Sequence, residues 1–304
     1  MTIPAPTASH PLPPTELRSP DSTGLDELSA LERLRLLNAH DRRAMEAVAE
    51  ALPRVAELVD QAAPRVRRGG VVHYFGAGTP GRLAVLDAAE LLPTFHLEPG
   101  VVTAHIAGGE RALTVAVEDS EDSVADGERD ADLLGPDDVA IGVTASGSTP
   151  YVGGALRRAR ERGAFTALIT SNPDAALAGL ADILIAVETG PEVLTGSTRL
   201  GAGTAQKTIL SGFSTALMIA LGRTYSNLMV SVVATNAKLR DRTLRILREA
   251  GAPEGEAEAL LAAAGGDLKA AIVALLTGAD ADRASAALAA ASGSVRDAVA
   301  ALHD

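Results

Sequence analysis

Val71–Pro93 reads VVHYFGAGTPGRLAVLDAAELLP. An apolar, β-branched run (Val71–Phe75) meets a glycine-rich turn (Gly76–Gly81), and a helical pattern follows. Leu83, Leu86, Ala89 and Leu92 recur near the spacing of one helix face. The order is strand, tight turn, helix. Glycines let a backbone turn sharply and approach a ligand closely. The helix behind them directs free N–H groups and a positive dipole end at that ligand. An anion, above all a phosphate, suits such a turn, and a plain strand-to-helix connection fits this stretch equally well. Gly76, Gly78 and Gly81 also match GxGxxG, a weak dinucleotide signal alone. No acidic residue follows at the end of a second strand to hold a ribose. Asp87 and Glu90 come too early, inside the helix.

Downstream, the pattern repeats. Strands are expected at Val71–Phe75, Val101–Ile106, Asp138–Val143, Thr166–Thr170 and Ile183–Val187, each short and apolar, as strands buried on both faces should be. Helical patterns fall at Gly81–Leu92, Arg111–Val117, Val124–Leu134, Val152–Arg162 and Asp174–Leu180. This alternation predicts an α/β fold: a doubly wound, five-stranded parallel sheet in an αβα sandwich. Ligands bind such sheets at the carboxyl ends of the strands. Upstream, Leu28–Asn38 and Arg42–Arg68 read as helices. Ser29 and Glu32 form a capping-box pair, Leu28, Leu31, Leu34 and Leu37 make an apolar stripe, and Pro53 starts a new helix. Beyond the last strand, Gly196–Lys207 is a polar loop, a buried helix runs from Ala205 to about Leu221, and Asn227–Gly251 is helical. In the tail, Ala262–Leu276 (AAAGGDLKAAIVALL) resembles Ala289–His303 (AAASGSVRDAVAALH), so a small all-helical domain closes the chain. The expected divisions are 1–60 (a disordered Met1–Pro14 and N-terminal helices), 61–224 (the sheet domain), 225–250 (a connecting helix) and 251–304 (the helical domain).

Composition narrows the function. A net charge of −12 disfavours nucleic acid, whose phosphates need a basic face. Without cysteine there is no disulfide and no thiolate metal site, and the six histidines show no paired ligand spacing, so no metal is expected. The longest apolar stretch, Ile209–Leu221, is too short and too polar to span a bilayer. No signal peptide is seen, and the expected location is cytoplasmic. Aromatics are only 2%, so the core is Ala, Leu and Val, and its helices present flat faces for close packing.

Three strand-end loops converge on one sheet edge: Gly76–Gly81, Thr144–Pro150 (TASGSTP) and Gly196–Lys207. Thr144, Ser146, Ser148 and Thr149 offer hydroxyls beside the N–H groups of a helix start. Capping needs one hydroxyl, and four favour a phosphate cradle without lysine. Gly78 and Thr79 belong to the same cradle from the first loop. Among nearby carboxylates, spacing alone reads Glu90 as a solvated helix residue and Glu121 as a first-turn acid suited to the next helix dipole.

Larger motifs assign those carboxylates a role. GAGTPGRLAVLDAAE (Gly76–Glu90), IAGGE (Ile106–Glu110), VEDSEDS (Val117–Ser123), ASGSTPYV (Ala145–Val152), GPEVLTGSTRLGAGTAQK (Gly190–Lys207) and NLMVSVVATNAKL (Asn227–Leu239) run through the chain, preceded by Thr15–Pro20 (TELRSP) and Leu28–Glu32 (LSALE). Together they resemble the N-acetylmuramic acid 6-phosphate etherases of the SIS phosphosugar-binding superfamily. The resemblance implies a small-molecule phosphosugar substrate, a homodimer with sites completed across the interface, and a ubiquitin-associated-like tail. It implies cleavage of a lactyl ether by elimination and then hydration, with Glu90 as proton donor, Glu121 as base and no metal or redox cofactor. Two carboxyls can divide such work if their environments differ.

Departures from the family pattern are Pro80 for Ser or Ala, Ala89 for Ser, Ser148 for Arg and Gly201 for Lys. The last two remove positive charges expected near an anionic substrate, each worth about 1.5–3 kcal/mol as a charge-assisted contact. They favour a non-catalytic phosphosugar sensor, as in the related glucokinase regulatory protein, whereas retention of Glu90 and Glu121 favours catalysis. An aldose–ketose phosphosugar isomerase shares the fold and the C2-proton chemistry.

Overall fold

A computed structural model describes residues 12–231 and 237–303. Most of Met1–Pro14, expected to be disordered, and the middle of Asn227–Leu239 lie outside that range. The first long element is one helix, α1 (Ala30–Arg67). Its start is the expected capping box: Ser29 Oγ accepts the Glu32 N–H, and Glu32 Oε2 accepts the Ser29 N–H at 2.9 Å. Separate helices are expected at Leu28–Asn38 and Arg42–Arg68, with a new one starting at Pro53. Pro53 and Pro64 instead lie inside α1. An interior proline costs about 3 kcal/mol. The buried stripe Val48, Ala51, Val55, Leu58, Val59 and Ala62 packs on the sheet domain. Large aliphatic side chains gain about 1.5–3 kcal/mol each on burial, so packing outweighs the proline. The predicted leucine stripe behaves differently, for Leu31 is 56% exposed and Leu34 62%.

The five expected strands are present: β1 (Val72–Gly76), β2 (Val102–Ile106), β3 (Val139–Val143), β4 (Phe165–Thr170) and β5 (Ile183–Ala186). All pairings are parallel, in the order β2-β1-β3-β4-β5. Helix α2 (Gly78–Phe95) follows β1, α3 (Val124–Asp130) precedes β3, and α4 (Pro150–Glu161) follows it. Helix α5 (Gly201–Ala220) follows β5. One apolar core joins α1, α2 and α5 to one sheet face, and a second joins α4 to the other. β1 and β3 are neighbours whose chain connections leave in opposite directions, the switch point where such sheets open a crevice.

Several helix assignments change. Arg111–Val117 holds only a 3-10 turn, Gly109–Leu113, entered through Gly108 and Gly109 at positive φ. Asp174–Leu180 holds only the turn Ala178–Leu180, because Asn172 Oδ1 captures the Asp174 N–H in a local turn. Helix α3 stops at Asp130 rather than reaching Leu134. α2 begins at Gly78 and passes through Pro93, ending at His96 in the left-handed region. α5 begins at Gly201, not Ala205. Tyr225 and Leu228 pair in a tight turn, so the helix expected from Asn227 is α6 (Ala237–Glu249).

Helices α7 (Ala257–Ala263), α8 (Leu268–Thr277), α9 (Ala281–Ala290) and α10 (Val295–His303) form the tail around a core of their own. The sequence repeat is a structural one. Asp267 caps α8, and Ser294 Oγ accepts the Asp297 N–H at α10. Gly265–Gly266 and Ser292–Gly293 both turn through positive φ ahead of those caps. No single helix among the described residues is long and apolar enough to cross a membrane.

Candidate active site

The crevice at the β1/β3 switch point holds a cavity of about 410 Å³. Its walls are the first loop (Ala77–Pro80), the hydroxyl loop (Thr144–Ser146, Ser148–Pro150), Glu121 with Asp122, Thr198, and Thr15 with Glu16. The structure therefore brings together Gly78, Thr79, Thr144, Ser146, Ser148, Thr149 and Glu121 around one space.

Backbone chemistry shapes the first loop. A Cβ on Gly81 would stand 2.7 Å from Ile106 Cγ1 and 2.8 Å from Gly76 O, so strand and helix meet too closely for any side chain there. Gly78 adopts φ +56° as α2 begins. The N-cap Ala77 has no side chain to cap with, which leaves the first α2 N–H groups directed at the cavity.

The hydroxyl loop is tied to itself. Thr149 is the N-cap of α4, yet its side chain makes no capping bond. Its Oγ1 lies 2.7 Å from Thr144 Oγ1 instead. Thr144 Oγ1 accepts the Gly147 N–H, and Ser146 Oγ accepts from both the N–H and the hydroxyl of Ser148. Asn172 Nδ2 holds the Ser146 carbonyl from below at 2.9 Å. Gly147 turns at φ +75° with Ala175 beneath it, where a Cβ would approach to 2.4 Å. The α4 start is thus uncapped and ringed by hydroxyls, an arrangement that can take an anion by dipoles and O–H donors. The lining has three carboxylates, Glu16, Glu121 and Asp122, and no Lys or Arg. Those helix starts are its positive features.

Glu90 stands elsewhere. It lies on the exposed side of α2, outside the cavity lining, with Leu86 and Ala89 also exposed. From Gly78 it is roughly 18 Å along the axis at ~1.5 Å per residue. The rotation of α2 is fixed by Asp87, whose carboxylate accepts from Tyr74 Oη at 3.0 Å and Ser214 Oγ at 2.9 Å. Burial holds that carboxyl above the usual range, against the hydrogen bonds from Ser214 and Tyr74 that favour its charge.

The family departures separate as well. Ser148 lines the cavity, so a missing charge there is missing from the site. Gly201 does not line it. A Cβ at 201 would point at His40 and Glu192. Sequence reasoning also missed Thr15, Glu16, Asp122 and Thr198. The first two reach the site because the Gly196 N–H bonds to Thr15 O at 3.2 Å, a long-range contact with no local signal. Among the described residues no group of three or more His, Cys, Asp or Glu is placed to hold a metal ion.

This arrangement has known relatives. Residues 54–160 match the glucokinase regulatory protein N-terminal SIS domain, and residues 113–213 match the SIS domain. The N-acetylmuramic acid 6-phosphate etherase of Thermobifida fusca is 54% identical over 265 residues, 87% of each chain. That of Rubrobacter xylanophilus is 52% identical, over 88% of this chain and 90% of its own. The chain belongs to the N-acetylmuramic acid 6-phosphate etherase family. A phosphoheptose isomerase from Francisella tularensis shares the fold, with a TM-score of 0.50, 20% identity, and coverage of 62% of this chain and 98% of that one. The etherase match spans both the loop that bears Glu121 and the helix that bears Glu90.

Proposed function

We propose that this protein cleaves the D-lactyl ether of N-acetylmuramic acid 6-phosphate, giving N-acetylglucosamine 6-phosphate and D-lactate. The observation that carries this reading is the near end-to-end match to etherases at 48–54% identity. The site chemistry agrees with it. A phosphate enters the hydroxyl loop and the α4 start, held by Thr144, Ser146, Ser148 and Thr149, with Gly78 and Thr79 opposite. Glu121 takes the C2 proton, acidic because the opened sugar carries an aldehyde at C1. The C3–O bond breaks, and a second carboxylic acid gives its proton to the departing lactyl oxygen. Water then adds across the double bond, its proton returning to C2 and its hydroxyl to C3. Glu90 is the second acid in this reading.

A second copy of the chain brings Glu90 to the site. Leu86 and Leu92 on α2 are half-exposed apolar residues flanking Glu90, and Leu31, Leu34, Met45 and Leu52 on α1 are likewise uncovered. That surface fits a homodimer in which one protomer's α2 completes its partner's cavity. The reading places the protein in the cytoplasm, in recycling of cell-wall sugars.

The glucokinase regulatory protein match, residues 54–160, contains both Glu90 and Glu121 and so keeps a phosphosugar sensor as a second reading. Mixing the protein with N-acetylmuramic acid 6-phosphate decides. Release of D-lactate supports the etherase, binding without release supports the sensor, and a ketose phosphate would mark an isomerase.

A further inference from the structure

Glu192 is fully buried, in the segment between β5 and α5. Its carboxylate accepts the N–H groups of Gly201 and Ala202, each at 2.9 Å, and so closes the α5 start. Unlike the α2 and α4 starts that line the crevice, the α5 start is filled by an internal anion. His40 of α1 packs beside Glu192, its Nδ1 3.9 Å from Oε2, beyond hydrogen-bond reach. His40 is itself 2% exposed, and its Nε2 lies 2.9 Å from the Pro191 carbonyl. A carbonyl only accepts, so Nε2 is the donor. The imidazole thus holds the Pro191 carbonyl, next to Glu192, in the segment that leads to Thr198.

Gly201 makes this possible. Its φ is not positive, so glycine is not needed there for conformation. It is needed for space: a Cβ would stand 2.2 Å from His40 Cε1 and 2.6 Å from His40 Nδ1. The ring occupies the place a side chain would take. A second link runs beside it, Thr204 Oγ1 donating to Asp41 Oδ1 at 3.1 Å. The same first turn of α5 abuts the cavity wall. At Gly203 a Cβ would lie 3.2 Å from Thr198 O and 3.6 Å from Thr79 Cγ2, and both threonines line the cavity.

We propose that His40 and Gly201 are an interlocked positioning pair. The absent side chain at 201 admits the His40 ring, the ring holds the Pro191 carbonyl beside Glu192, Glu192 closes the α5 start, and this clamp sets the α5 first turn and with it the Thr198–Thr79 wall of the substrate cavity. His40 touches no reacting atom; it acts through Glu192 and α5. The proposal rests on the etherase reading only for its kinetic readout.

The test is a cycle of His40→Ala, Gly201→Ala and the double variant, read by thermal unfolding and by lactate-release kinetics. Gly201→Ala alone forces the new methyl into the ring and should lower Tm by about 5 °C or more. In the double variant the ring is gone, so the alanine at 201 should cost nothing and the double should melt no lower than His40→Ala. His40→Ala should raise KM by about tenfold with kcat changed less than threefold, since a displaced wall weakens binding before chemistry. Additive Tm losses would overturn the interlock. An unchanged KM in His40→Ala, with Tm lowered, would overturn the positioning role. If the wild-type chain released no lactate, the etherase reading would fail alone. The Tm cycle would still read the interlock, and the calorimetric Kd for N-acetylglucosamine 6-phosphate would replace KM.

Discussion

The hydroxyl loop and the outer face of α2 were both singled out as functional, and they differ in one respect. The hydroxyl loop is finished within one chain: its donors bond to each other, Asn172 braces it, and the cavity closes around it. The α2 face is unfinished. Glu90 faces solvent among half-exposed leucines, outside the lining of the substrate cavity. Binding is thus a property of one protomer in this reading, and chemistry a property of two. The largest effects should come from testing that division directly.

Glu121→Gln and Glu90→Gln keep shape and hydrogen bonding but remove proton transfer. Each should lower kcat for lactate release by about 10²–10⁴-fold. Glu121→Gln should also stop exchange of the C2 proton with solvent, whereas Glu90→Gln should leave some exchange. Mixing the two inactive variants sharpens the comparison. If one protomer lends Glu90 to the other, a mixed dimer has one site with both glutamates and regains activity. If both glutamates serve their own chain, mixing restores nothing. Wild-type turnover in either single variant would mean that the catalytic pair lies elsewhere.

A smaller effect should come from the sheet that carries both regions. His73 on β1 stacks on His105 of β2, with ring centroids 5.4 Å apart, and His105 stacks on Phe75. Burial, then the His105 charge, pushes His73 down to about 4, while Asp138 opposes the shift; burial lowers His105 too. The unfolded chain therefore binds more protons between about pH 6.5 and 4. Stability should be full above that window, fall by roughly 2–3 kcal/mol as pH drops through it, and level off below it for this group. Urea unfolding at pH 7.5 and pH 5 measures the loss, and His73→Gln should shrink it. Equal slopes for wild type and variant would show that other groups carry the acid sensitivity.

The strands were legible because β-branched apolar runs between glycine turns have few other uses, and the parallel sheet followed from their alternation with helices. The hydroxyl loop was legible for the same local reason. Pro53 misled because a local rule was set against a buried stripe on α1 whose packing no local window contains. The short 3-10 turns misled because Asn172 and the Gly108–Gly109 pair compete with helix through bonds and φ values that a periodicity count ignores. Thr15 and Thr198 enter the cavity through contacts across the fold. Gly201 reads in sequence as a lost charge, and only the position of His40 shows that a Cβ there would meet its ring. Glu90 could be named from its motif but not placed, because the face it occupies has no partner within the chain.

The finest test asks whether binding really belongs to one protomer. Ser146 Oγ sits at the centre of the hydroxyl loop, accepting from Ser148 and facing Thr144 Oγ1 at 3.4 Å. Ser146→Ala removes one neutral donor from a dipole-built anion site, so the loss should be about 0.5–1.5 kcal/mol, or roughly 2–10-fold in Kd. It should fall on N-acetylglucosamine 6-phosphate more than on N-acetylglucosamine. A surface variant such as Leu86→Asp, which places a charge on the exposed α2 face, should dissociate the dimer and abolish turnover. It should leave the Kd for the sugar phosphate within about the same factor as Ser146→Ala, because the hydroxyl loop is braced by Thr144, Ser148 and Asn172 of its own chain. Calorimetry on the dissociated variant, with sedimentation to confirm its state, checks this. Loss of sugar-phosphate binding on dissociation would break the division, since the cradle as well as the chemistry would then need the second copy.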